Sequence, residues 1–215
     1  MFAYHFSFDL RYYRVISADF ESDPFWLGFR GLVVTSFMVL VGTSLALAHR
    51  AGATPAHFWK RIGVIAACAI AASVGSYLVF PRTFIYFGIL HCICVASILA
   101  WPVVRRPRVA LMIGIAVIAA GFAFSHPLFD ERALSWLGFT TRKPATEDFV
   151  PLAPWAGFVF AGIAAGHTLA RVAFRPLSPL AGAPQWLRFI GRHSLVVYMV
   201  HQPILLGVLW LAVGR

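Results

Sequence analysis

Asparagine is absent from this 215-residue chain, and lysine occurs only at Lys60 and Lys143. Without asparagine there is no N-glycosylation sequon. Charge is scarce too: 12% of residues are charged and 60% are hydrophobic, where a soluble domain carries about 25% and about 45–50%. So few charges cannot coat a globule of this size, and the mean hydropathy is +0.78. A soluble enzyme, a disordered tail and a disulfide-stapled secreted module are excluded. The three cysteines, Cys68, Cys92 and Cys94, all lie in apolar stretches. Their odd number makes no disulfide framework, and Cys92 and Cys94 are too close for a C-x-x-C motif. They read as free thiols of a core. No G-x-x-x-x-G-K phosphate loop occurs, and no Cys, His or acid triplet has metal-ligand spacing. What remains is an integral membrane protein. Abundant Ala, Arg, Gly and Pro beside absent Asn and rare Lys points to a bacterium with a GC-rich genome.

A helix that crosses a bilayer needs about 20 mostly apolar residues, because its backbone must satisfy its own hydrogen bonds in hydrocarbon. Such runs recur at 31–48, 62–81, 83–104, 109–129, 149–170 and 193–214. The expected fold class is therefore all-α, a polytopic transmembrane helix bundle with six full spans. Residues 1–10 are apolar apart from His5 and Asp9 but too short to cross. They lack the basic region and cleavage site of a signal peptide. They read as the second half of a helix that starts upstream of Met1, which would make seven spans in the complete protein. No internal repeat or second domain is visible, so residues 1–215 read as one integral membrane domain.

Orientation follows from charge. The net charge is +10, yet the cations form no basic stripe interleaved with aromatics of the kind that binds nucleic acid. Segments 49–61, 101–108 and 171–192 carry ten cations and no acid, whereas the rest of the chain holds the other eight cations and all eight acids. By the positive-inside rule the first set is cytoplasmic, and strict alternation puts the C-terminus outside. The expected location is the bacterial cytoplasmic membrane. The outer segment around residues 130–150 mixes both signs with aromatics and suits a lid over a site, or a plain solvated connector. Gly31, Gly42, Gly114, Gly157, Gly162 and Gly166 read as close-packing positions, with Gly162 and Gly166 making a small-xxx-small face.

Ionisable groups within spans are costly and point to function. His5 and Asp9, four residues apart, share one helix face, so the carboxylate can orient the imidazole. Such an imidazole can take a proton from an alcohol or amine, or carry an acyl group itself. The pair can equally be two polar groups satisfying each other between helices. His91 and His201 each lie about eight residues into a span, where they could approach one another or simply bond a neighbouring helix. Arg82, in the tight turn Phe80-Pro81-Arg82-Thr83, and Arg30 are placed to hold a phosphate or carboxylate, or to anchor at the interface.

Several stretches together resemble one family. They are Tyr4-His-Phe-Ser-Phe-Asp9-Leu10, residues 41–46 (VGTSLA), residues 84–91 (FIYFGILH), residues 148–155 (DFVPLAPW), and Gly191-Arg-His-Ser-Leu followed by Tyr198-Met-Val-His201-Gln-Pro203. In this order they resemble the bacterial membrane proteins with a heparan-alpha-glucosaminide N-acetyltransferase catalytic domain. The resemblance covers essentially the whole chain. It implies a transmembrane acyltransferase that takes an acetyl or acyl group from cytoplasmic acyl-CoA and delivers it to a sugar or glycan on the outer side. Related polysaccharide O-acyltransferases carry an arginine and, roughly ten residues later, a catalytic histidine; His5 occupies that position, and the arginine would fall upstream of Met1. The eukaryotic lysosomal enzyme does not share the His5 motif, so its substrate is not transferred.

The expected roles follow. His5 and Asp9 are the catalytic pair; Arg82, His91, Asp148 and His201 line the acceptor side. Arg50, Lys60, Arg61, Arg105 and Arg106 hold the phosphates of acetyl-CoA or another acyl-CoA. No metal is expected, and the partners are the bilayer, acyl-CoA and a glycan acceptor, without nucleic acid. A small-molecule or ion transporter and a non-enzymatic scaffold are the other classes. The first usually shows repeated halves, and the second has no need of His5, Asp9, His91 and His201.

Overall fold

The computed structural model describes residues 1–213. Among the described residues eight α-helices follow in order: α1 (Phe2–Tyr12), α2 (Pro24–Arg50), α3 (Pro55–Val79), α4 (Ile89–Ala100), α5 (Pro107–Ala123), α6 (Leu152–Arg171), α7 (Gln185–Arg192) and α8 (Ser194–Val213). Short 3-10 turns lie at Trp101–Val103, Pro127–Asp130, Ser135–Leu137 and Arg175–Gly182. Among the described residues the only β-type pairing is a parallel bridge between Phe87 and Phe149. Of the described helices four, α2, α3, α6 and α8, are long and apolar enough to cross a membrane, while α4 with its 3-10 extension and α5 are shorter apolar helices.

The helix starts are chemically marked. Thr54 caps α3, its hydroxyl accepting from the His57 amide, with Pro55 in the first turn. Pro107 opens α5. The Asp23 carboxylate accepts from the Phe25 amide at 2.8 Å where α2 begins. Proline at a first helical position removes a donor that would have no partner anyway.

Two of the apolar runs are only partly helical. In the run 83–104, residues 84–88 are not helical; their backbone is held by side chains and by the segment before α6. Ser76 Oγ accepts from the Ile85 amide, Thr146 Oγ1 donates to the Phe84 carbonyl, and the Val150 amide donates to the Phe87 carbonyl. In the run 109–129 the helix stops at Ala123, just ahead of Pro127, and the His126 amide donates instead to the Phe139 carbonyl.

The chain forms two compact units, the boundary falling within α2. One comprises Val34–Arg175. At its centre is α6, half of whose apolar window is buried against 17% for α3. Close approach there depends on glycine. A Cβ on Gly114 of α5 would stand 2.7 Å from the Gly157 carbonyl oxygen, and one on Gly157 would stand 2.6 Å from that of Gly114. Gly42 and Gly162 do the same for α2 against α6, each facing the partner's backbone at Val159 and Val39. Thr43 Oγ1 reinforces that contact by donating to the Gly162 carbonyl at 3.1 Å. Gly31 faces open space.

The other unit comprises Met1–Val33 and Pro176–Arg215, described to Val213. Here α1 packs on α8 through Phe2 and His201, whose rings are 5.3 Å apart. Phe20, in the connection to α2, is buried between Tyr4 and Trp26.

Candidate active site

In the unit containing the first and last helices, α1 and α8 bring His5, Asp9, His201 and Gln202 together. The His5 and His201 rings meet edge to face with centroids 4.9 Å apart. Asp9 is 2% exposed and His201 3% exposed. The Asp9 carboxylate does not bond the imidazole one turn away. Its Oδ1 accepts instead from Gln202 Nε2 at 2.8 Å, and its Oδ2 is buried without a partner.

The tautomer of His201 follows from its neighbours. Its Nδ1 meets the backbone carbonyl of Tyr198, which can only accept, so Nδ1 carries the hydrogen and Nε2 presents a lone pair. That Nε2 is also buried without a partner, as is Gln202 Oε1. Three acceptor atoms on two facing helices therefore have no donor. Buried polar atoms are normally satisfied, so this arrangement is chemically suited to a ligand that brings N–H or O–H groups. Gln202 was not singled out in the sequence; a second polar residue next to His201 in a span was the available signal.

In the Val34–Arg175 unit His91 and Asp148 converge on the start of α4. The Gly88 amide donates to His91 Nδ1 at 3.2 Å, leaving Nε2–H to donate to Ser73 Oγ at 3.3 Å. Ser73 in turn donates to the Ile85 carbonyl at 2.6 Å. Asp148 Oδ2 accepts from the Ile89 amide at 2.8 Å, a helix cap supplied from 59 residues away because Gly88 has no side chain of its own. Both ring nitrogens of His91 are thus engaged in holding residues 85–88. Arg82 is exposed in the turn that leads into this segment.

The segment expected as a lid is firmly built. Asp130 accepts from the Thr141 amide and hydroxyl and from the Arg142 amide. These bonds, the Thr141 hydroxyl foremost, hold its carboxyl below the usual carboxylate range. Arg132 stacks over Phe84 and Tyr86 at 4.7 and 4.9 Å, and the Tyr86 hydroxyl meets buried Ser135 at 2.7 Å.

At the opposite end of this unit lie the basic residues. Arg105 Nε donates to His49 Nε2 at 2.8 Å, joining the end of α2 to the α4–α5 connection. Phe58 of α3 stacks on Trp101 at 4.1 Å, and His167 of α6 bonds the Val104 carbonyl at 2.8 Å. Arg50, Lys60 and Arg106 are exposed at these helix ends, and Arg61 is half-buried. Because His49 Nε2 accepts, its Nδ1 carries a hydrogen, and that buried donor has no partner. Cys68, Cys92 and Cys94 are free thiols, and no metal-binding group of His, Cys, Asp and Glu occurs among the described residues.

Apolar helices long enough to cross a bilayer mark a membrane protein, and α1 and α8 bury a histidine–carboxylate cluster between them. The family model for the heparan-alpha-glucosaminide N-acetyltransferase catalytic domain matches residues 1–203, and the chain belongs to that membrane acetyltransferase family. The match includes His5, Asp9, His201 and Gln202. No curated protein and no solved structure matches the chain.

Proposed function

We propose that the protein is an acyl-CoA-dependent acyltransferase of a bacterial cytoplasmic membrane. It moves an acetyl or acyl group to a sugar or glycan acceptor on the outer side. In this reading α2, α3, α4 with its 3-10 extension, α5, α6 and α8 each cross, α1 is the partial span, and both compact units serve one catalytic domain. The basic loops face the cytoplasm and the C-terminus faces outward.

The observation that carries the reading is the cluster of unpartnered acceptors around His5: Asp9 Oδ2, His201 Nε2 and Gln202 Oε1. An acceptor sugar brings hydroxyl or amino hydrogens, which these atoms would receive. His5 then takes the proton from the attacking oxygen or nitrogen as that atom bonds the thioester carbonyl. The carbon–sulfur bond breaks, and the CoA thiolate leaves and recovers the proton. If His5 instead carries the acyl group, its nitrogen attacks first and the acceptor attacks the acyl-imidazole second. Buried donors and acceptors act more strongly there than in water, and holding both reactants in line removes much of the entropic barrier.

At the basic end Arg50, Lys60, Arg61, Arg105 and Arg106, with the unpartnered His49 Nδ1–H, supply charge and a donor for the phosphates of acyl-CoA. Arg82 offers charge to the acceptor, while His91 and Asp148 act as positioning residues for the segment that follows it.

The test is transfer of isotope-labelled acetyl from acetyl-CoA to mixed glycan acceptors by purified, reconstituted protein. Labelled product that disappears in His5→Ala supports the reading. Unchanged transfer in that variant removes His5 from the chemistry, and no product with any acceptor class overturns the acyltransferase assignment.

A further inference from the structure

The transfer step proposed above uses no residue of helix α7, whose side chains are sorted by chemistry. At about 100° per residue, Phe189, Trp186, Ile190 and Leu187 fall on one continuous arc. Gln185, Arg188, Gly191 and Arg192 fall on the other. The apolar arc is bare: Trp186 is 64% exposed and Phe189 62%. The segment 171–192 carries four arginines and no acid.

Only His193 separates α7 from α8. The outward side of α8 is a stripe of exposed apolar residues, Val196, Val200, Ile204, Val208 and Leu211, the surface a membrane helix turns to lipid. The bare arc of α7 is thus joined through a single residue to a helix with an exposed apolar stripe. Eight residues of helix extend about 12 Å, which offers far less than the roughly 800 Å² per partner of a stable protein interface. A short helix with aromatic residues on one arc and cations on the other matches an element lying in the headgroup plane.

We infer that α7 is an in-plane membrane anchor for an anionic leaflet, with Trp186 and Phe189 at the acyl boundary and Arg188 and Arg192 on lipid phosphates. Each arginine near such a surface strengthens binding about fivefold. The inference is independent of whether the protein transfers acyl groups.

The test uses the full chain in bilayers of phosphatidylcholine with and without phosphatidylglycerol. The contribution of Trp186 is taken as the difference between the wild type and Trp186→Phe. Lipid brominated near the headgroup should quench this difference signal several-fold more than lipid brominated at the chain end. The quenching should weaken without phosphatidylglycerol, and again in Arg188→Glu/Arg192→Glu. Quenching by aqueous iodide instead of brominated lipid would overturn the inference. So would shielding from both quenchers, the mark of a protein partner, or protection that follows added CoA rather than lipid charge. Arg142→Glu, on a different segment, controls for a general loss of charge and should leave the signal unchanged.

Discussion

The side-chain amide of Gln202 donates to Oδ1 of Asp9 at 2.8 Å, joining the last long helix to the first across 193 positions of sequence. Asp9 is 2% exposed, and the other oxygen of its carboxylate, Oδ2, is unbonded. Replacing Gln202 by Leu strands a buried carboxylate, which costs about 1–3 kcal/mol. Thermal unfolding in detergent should register that loss. Asp9→Asn combined with Gln202→Leu should lose less than the sum of the single changes, because the two residues share one bond.

His201→Phe keeps a ring against Phe2 and His5 but removes the Nε2 lone pair. We expect transfer to fall about tenfold or more, the worth of one lost hydrogen bond to the reacting complex. The melting temperature should stay close to that of the wild type. A large drop in melting temperature with normal activity in the surviving protein would show a purely structural histidine.

Asp148→Ala removes the cap from α4, at a cost of about 1 kcal/mol, and His91→Ala releases the Gly88 amide and Ser73 together. Both variants should lower the unfolding temperature and kcat with little effect on KM for the acceptor. A raised KM at unchanged stability would instead place either side chain in contact with substrate.

Gly114→Ala drives a methyl group into the Gly157 carbonyl at 2.7 Å, where backbone on both sides prevents relief. Destabilisation of about 1–3 kcal/mol is expected. Gly63, in α3, has nothing within 4 Å of a Cβ, so Gly63→Ala should be neutral or stabilising by up to about 1 kcal/mol. Paired melts of the two variants check this.

Asp130 lies in the connection between α5 and α6, and its carboxyl is held below the usual range by Thr141 and the Arg142 amide. A depressed carboxyl contributes stability that is present above its unfolded pKa and is lost as pH falls through the folded value. Amide exchange at Thr141 should therefore be slow at neutral pH and accelerate on acidification beneath the ordinary carboxylate range. Asp130→Asn should exchange faster already at neutral pH.

Much of the architecture was readable from composition because the bilayer imposes one rule on every span: long apolar runs must be helices. The runs at 31–48, 62–81, 149–170 and 193–214 each contain most of a long helix for that reason. Hydropathy could not reveal that residues 84–88 leave the helix. Their backbone is satisfied by Ser76 and Thr146, polar residues distant in sequence that only folding delivers. Likewise the spacing of His5 and Asp9 established a shared helix face but not the carboxylate's partner, Gln202, which comes from the opposite end of the chain.

The amino-acid order alone determined that this is a helical membrane protein, which ends carry positive charge, and that His5, Asp9 and His201 sit in apolar surroundings. These follow from local hydrogen-bond satisfaction and from charge counting, neither of which needs a fold. Tertiary structure decided which buried groups are already satisfied and which still seek a donor. His91 and Asp148 have their bonds to α4, while Asp9 Oδ2 and His201 Nε2 have none, and that distinction depends on atoms meeting across distant helices.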